Sequence, residues 1–182
     1  GGATSPIFTS TSYAFNDVEL KQYPRYFNTP NQRGLCEKIA ALEGAETGLI
    51  FGSGMAAVST ALLSHLSSGD HVIFQDDIYG GTRNFIKREF PKYGIEFSFS
   101  KGLEASDFES QIRTQTKGIY IETPSNPTLK ITNLKEISSL AQSKSLWTMI
   151  DNTFASPVNQ NPIAFGIDIV IHSATKYLGG HS

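Results

Sequence analysis

The chain has 182 residues, 39% of them hydrophobic and 18% charged, which excludes a disordered polymer and suits a folded domain with a sizeable core. A net charge of −2 gives no electrostatic reason to expect nucleic acid or an anionic membrane as partner, and no apolar run is long enough to span a bilayer. With Cys36 the only cysteine, an internal disulfide is excluded, and a soluble cytoplasmic protein is expected.

Residues 1 to about 33 show little periodicity but many aromatics, as in SPIFTSTSYAF and YPRYFNTPNQ. An arm packed on another surface, such as a partner subunit, is expected. Residues 35–43 (LCEKIAALE) read as a helix with Leu35, Ile39 and Leu42 on one face. Strands and helices then alternate. TGLIF (47–51) reads as a strand, Met55–Leu66 as a helix and HVIFQ (71–75) as a strand. Helix Gly81–Lys92 and strand 95–100 follow. Next comes a helix from Asp107 to about Thr114, capped by Ser106 with Glu109 at the capping-box spacing. Strand 117–122, helix Leu134–Ser143, strand 146–151, short helix Pro162–Phe165 and strand 167–172 complete the series.

This alternation predicts an α/β fold: a mainly parallel, doubly wound sheet flanked by helices and preceded by an extended arm. The arm and first helix take residues 1–46 and the α/β domain 47–182. The start at Gly1-Gly2 and the stop inside a glycine-containing loop lead us to expect a segment of a longer protein.

Ligands of open α/β sheets bind outside the carboxyl ends of the strands. The turns there hold Gly52-Ser53-Gly54-Met55, then Asp76 through Thr82 with Tyr79 before Gly80-Gly81, and then Thr123-Pro124-Ser125-Asn126-Pro127. Asp151-Asn152-Thr153 and His172-Ser173-Ala174-Thr175-Lys176 follow the last two strands. GSGMAA fits G-x-G-x-x-A between a strand and a helix, and Asp76 lies about 22 residues past Gly54, as in a dinucleotide-binding fingerprint. It reads equally as a tight turn, or as a helix N-terminus holding some phosphate. Lys176 is a surface residue or, if desolvated, an amine nucleophile. Ser173 and Thr175 cap the turn or bind phosphate, Asp151 caps a turn or pairs with a buried cation, and Tyr79 is core or stacks on a planar ring. The four histidines lack paired ligand spacing, so no metal site is expected. Cys36 reads as a packing residue.

Pyridoxal 5′-phosphate (PLP) has a partner for each of these groups. Its aldehyde suits the lysine, its ring nitrogen the carboxylate, its phosphate the hydroxyls and helix N-terminus, and its ring face the aromatic. A dinucleotide, the rival that would make this an oxidoreductase domain, leaves Lys176 and Asp151 without work. A non-catalytic α/β module is a further alternative.

AALEGAE, SGMAA, YGGT, ETPSNPT, DNTFASP and HSATKYLGGHS occur in this order. With them the chain resembles the Cys/Met-metabolism PLP enzymes of fold type I, which include cystathionine γ-synthase, cystathionine lyases, homoserine-ester sulfhydrylases and methionine γ-lyase. The resemblance implies that Lys176 carries PLP as an internal aldimine and that Asp151 pairs with the pyridine nitrogen. It further implies that Tyr79 stacks on the ring and assists proton transfer, that Gly54, Met55, Ser173 and Thr175 hold the phosphate, and that Asn126 lies near the ring hydroxyl. Tyr23 and Arg25 match a Tyr-x-Arg pair that reaches the phosphate of a neighbouring subunit, which implies a homodimer or homotetramer with a shared active site. YPRYFNTPN departs from the family spacing by one residue, Thr29. Family chains are about twice as long, and their other half carries the arginine for the substrate carboxylate. Gly81 stands where methionine γ-lyases usually have cysteine, so the expected substrate is a sulfur-containing or O-acylated amino acid handled by a cystathionine lyase or synthase.

Overall fold

The structure, a computed structural model, describes residues 4–181. The chain divides into two compact units, one ending at Ile50 and one beginning at Phe51.

The first unit holds the aromatic arm, a 3-10 turn at Pro24–Tyr26, and helix α1, Pro30–Glu43. The helix starts five residues earlier than the periodicity predicts, because Thr29 caps it. Gln32 Oε1 accepts both the Thr29 N–H (3.1 Å) and the Thr29 hydroxyl (2.8 Å), and Pro30 stands at the first helical position, where no N–H is needed. The residue that breaks the family spacing is thus the residue that starts the helix. Leu35 and Leu42 of the predicted stripe are exposed, and Ala40 and Glu43 are buried instead. Residues 47–51 form no strand. The run has no ladder partner among the described residues and leaves Leu49 72% exposed. A short apolar run is a strand only where a sheet edge receives it.

The second unit is built on helix α2 (Gly54–Ser64), strand β1 (His71–Gln75), helix α3 (Gly80–Glu89), strand β2 (Glu96–Ser100) and helix α4 (Ala105–Glu109). Strand β3 (Thr116–Glu122), helix α5 (Leu134–Ser143), strand β4 (Trp147–Asp151), helix α6 (Ser156–Asn159) and strand β5 (Ile169–Ile171) follow. The strands form one parallel sheet in the order β2-β1-β3-β4-β5. Alternate residues face opposite sides. Val72, Phe74, Tyr120 and Met149 pack with Val58 and Leu62 of α2 and Ile86 of α3. Ile73, Ile119, Ile121 and Ile150 pack with Phe108 of α4 and with Leu134, Ile137 and Ala141 of α5. Both faces are covered, as the near-continuous apolar strands require, and each fully buried large side chain contributes about 2–3 kcal/mol.

Helix α4 begins before the predicted cap. Its cap is Glu104, whose N–H donates to Asp107 Oδ2 at 3.0 Å, because Asp107 rather than Glu109 stands three residues past the residue that leaves extended backbone.

The chain steps from β1 out to β2 and then returns past β1 to β3. The order of travel reverses between β1 and β3, so the loops leaving these two strands diverge and open a crevice at the carboxyl edge.

Candidate active site

At the carboxyl edge the sheet opens into a cavity of about 680 Å³. It is lined by the predicted residues Gly54, Met55, Tyr79, Asn126, Asp151, Ser173, Thr175 and Lys176.

The floor is the N-terminus of α2. Ser53, in extended backbone, caps it: its hydroxyl accepts the Ala56 N–H at 3.0 Å and its carbonyl the Ala57 N–H at 3.1 Å. Those bonds leave the amides of Gly54 and Met55 at the positive end of the helix for another acceptor. A Cβ on Gly54 would stand 2.8 Å from the Ser173 Cβ, so glycine is what lets the helix start meet the turn after β5. Ser173 is fixed in turn, its N–H donating to Thr153 Oγ1 at 2.8 Å.

Two carboxylates end adjacent strands, Glu122 on β3 and Asp151 on β4, paired in register. Asp151 Oδ1 accepts the Thr153 N–H at 3.0 Å. Burial holds its pKa above the ordinary carboxylate range, against the pull of Thr153 and His172. Glu122, 4% exposed, is raised to about 7, chiefly by burial and then by the Asp151 charge. The Tyr120 phenol behind them is pushed well up by burial, Asp151 and Glu122. A cation set between these groups would relieve all three.

Tyr79 stands on the cavity wall with its ring half exposed. A Cβ on Gly81 would lie 2.5 Å from that ring, so the second glycine of YGGT makes room for it. The loop after β3 has cis peptide bonds at Thr123-Pro124 and Asn126-Pro127. Asp77 holds it, accepting the Ser125 hydroxyl at 2.8 Å and the Thr128 hydroxyl, with Lys130 at 3.6 Å. The Thr128 bond, chiefly, and then those of Ser125 and Lys130 keep the Asp77 pKa low against burial.

Lys176 follows β5 on a turn closed by its own N–H to the Ser173 carbonyl, 3.1 Å. It lines the cavity, but its side chain is exposed. Next to it, Tyr177 meets Phe154 edge-on at 6.4 Å.

Tyr23 and Arg25 belong to the first unit. Both are exposed, and Tyr23 packs edge-on against Tyr26 at 5.2 Å. Asp76, the ribose ligand of the dinucleotide alternative, is paired with Arg83 at 2.7 Å.

The family model for Cys/Met metabolism PLP-dependent enzymes matches residues 1–182. The chain belongs to that family. Over 185 residues it is 44% identical to a cystathionine beta-lyase of Lactococcus lactis subsp. cremoris, covering 100% of this chain and 48% of that one. It is 45% identical over 184 residues to a cystathionine gamma-lyase of Bacillus subtilis (strain 168), again with 100% and 48% covered. The crystal structure of metB from Corynebacterium glutamicum superposes with a TM-score of 0.94 at 38% identity, covering 100% of this chain and 48% of that one. The chain thus spans about half the length of these relatives. Nothing in the comparisons supports the oxidoreductase alternative.

The residues present fit the family's cofactor. Leftover amides and hydroxyls lie where a phosphate would bind, a carboxylate raised by burial faces the cavity, and an aromatic wall and an amine complete it. Two residues that matter here escaped the sequence reading, Glu122 and Gln75, the polar ends of β3 and β1. The signal was available: each is a polar side chain closing an apolar run at the ligand-binding edge.

Proposed function

We propose that the full-length protein is a PLP-dependent enzyme that cleaves the C–S bond of a cystathionine-type amino acid. One observation carries the reading: Asp151, Tyr79 and Lys176 line a single cavity whose floor is the open N-terminus of α2.

PLP supplies, when bound, an electron sink for negative charge developed at the substrate α-carbon. The chain's own groups divide the remaining work. The Gly54 and Met55 amides, with the Ser173 and Thr175 hydroxyls, bind the phosphate. Tyr79 stacks on the ring and assists proton transfer, and Asn126 stands on the ring-hydroxyl side. Asp151 keeps a proton on the pyridine nitrogen. Lys176 Nζ would hold the cofactor through its aldehyde carbon, and its free amine would be the base for the substrate α-proton. Tyr23 and Arg25 reach the phosphate of a neighbouring subunit, so the active enzyme is a homodimer or homotetramer. Support for C–S cleavage comes from the two relatives named as lyases.

The test is incubation of the full-length, PLP-loaded protein with cystathionine. Cleavage at Cβ, with one water, gives homocysteine, pyruvate and ammonia; cleavage at Cγ gives cysteine, 2-oxobutyrate and ammonia. Release of either 2-oxo acid is expected, and its identity fixes the bond. Formation of cystathionine from an O-acylhomoserine and cysteine, without 2-oxo acid, would replace cleavage by synthesis. No turnover of either substrate would overturn the reading.

A further inference from the structure

Tyr79 and Asn126 stand on different loops, on either side of the crevice where the chain reverses between β1 and β3. Such loops are only as precise as whatever ties them together. Asp77 links their side chains through Ser125 and Thr128, and one further side chain takes a backbone amide from each loop. Glu122 Oε2 accepts the Tyr79 N–H at 2.6 Å, and Glu122 Oε1 accepts the Asn126 N–H at 3.1 Å. When Glu122 is ionised these bonds are charge-assisted, the short, strong kind.

The residue that makes these bonds is itself held. Gln75, fully buried at the end of β1, donates through Nε2 to the Glu122 carbonyl at 2.8 Å. Its Oε1 accepts the Thr132 hydroxyl at 3.1 Å and the Glu122 N–H at 3.4 Å. The Gln75 amide thus fastens the backbone from which the carboxylate reaches both loops.

We propose, resting on the PLP reading above, that Glu122 is a positioning residue of the cofactor site: its two carboxylate oxygens each take one backbone N–H, from Tyr79 and Asn126, and so hold the ring-stacking loop and the loop across from it in one geometry. Glu122 touches no reacting atom in this role. It acts through the Tyr79 ring, whose place depends on the Tyr79 backbone and on the space left by Gly81. The carboxylate is specifically required, because Gln presents one oxygen and one NH2 and so turns a donor toward one of the two amides.

Two measurements on the full-length protein with Glu122→Gln test this. The first is amide hydrogen exchange on the cofactor-stripped protein. At least one of the segments containing Tyr79 and Asn126 is expected to exchange about tenfold faster or more, with α5 unchanged. The second is titration with PLP, with circular dichroism of the bound-cofactor band. Affinity is expected to fall about ten- to a hundredfold, and the band to weaken as the ring loses its fixed stacking partner. Unchanged exchange in both segments would overturn the bridge. Faster exchange with wild-type PLP affinity and band would overturn the positioning role. Should E122Q fail to fold, E122D takes its place: it keeps the charge but is too short to reach both amides, so at least one segment must exchange faster. Wild-type protein that takes up no PLP would overturn the functional reading, while the exchange comparison still decides the bridge.

Discussion

A carboxylate closing a buried strand is costly unless something at the sheet edge answers it. Asp151 was legible from sequence because LWTMID ends on a lone acid before Asn-Thr. Glu122 closes KGIYIE in the same way, yet the family resemblance assigned a role to Asn126 and none to Glu122. Its role depends on two amides 43 and 4 residues away, a relation that no local pattern contains. Gly54 was legible as part of GSGM, but the reason for glycine was not: it is the approach of Ser173. Gly54→Ala in the full-length protein is therefore expected to weaken PLP binding about tenfold, or about 1.4 kcal/mol. Gly52→Ala, where an added Cβ has nothing within 4 Å, should bind as wild type. Equal affinities, read by PLP titration, would separate the phosphate site from this helix start.

Among the elements, β1, β3 and β4 were readable nearly to the residue, since buried parallel strands are apolar runs bounded by polar turns. Helix starts were less so. The caps at Thr29 and Glu104 are set by whichever side chain three residues on can reach back, and in both cases several candidates stood close together. The run at 47–51 misled for another reason: an apolar run does not say whether a sheet edge awaits it. At the opposite edge of the sheet from the cavity, His71 ties three strands together, with Nδ1 2.8 Å from Thr116 Oγ1 and Nε2 2.8 Å from Ser98 Oγ. Burial and then Arg113 lower its pKa from 6.5, against the opposing charge of Glu96. The neutral form thus favours the fold. Its contribution is complete above about pH 6.5 and declines below it, as the unfolded chain takes up the proton first. Chemical denaturation across pH 5 to 8 should show this decline, and it should be smaller in His71→Gln. At neutral pH, His71→Ala should cost about 2 kcal/mol, because the two hydrogen bonds of the imidazole are lost. A parallel pH dependence in wild type and His71→Gln would place the proton uptake elsewhere.

On the scale of the whole molecule, the sequence carried the family and the doubly wound sheet, because six ordered motifs sit at the turns where the sheet edge binds ligands. The chain spans about half the length of its relatives. Covalent attachment of PLP to Lys176 is the proposed centre of the site. The measurement is the visible absorption of the full-length protein, before and after borohydride, followed by peptide mapping. The account predicts a yellow protein that bleaches on reduction, with pyridoxyl mass on the peptide containing Lys176 and none after Lys176→Ala. Pyridoxyl mass on a different lysine, or a colourless protein unlabelled in the presence of added PLP, would contradict it.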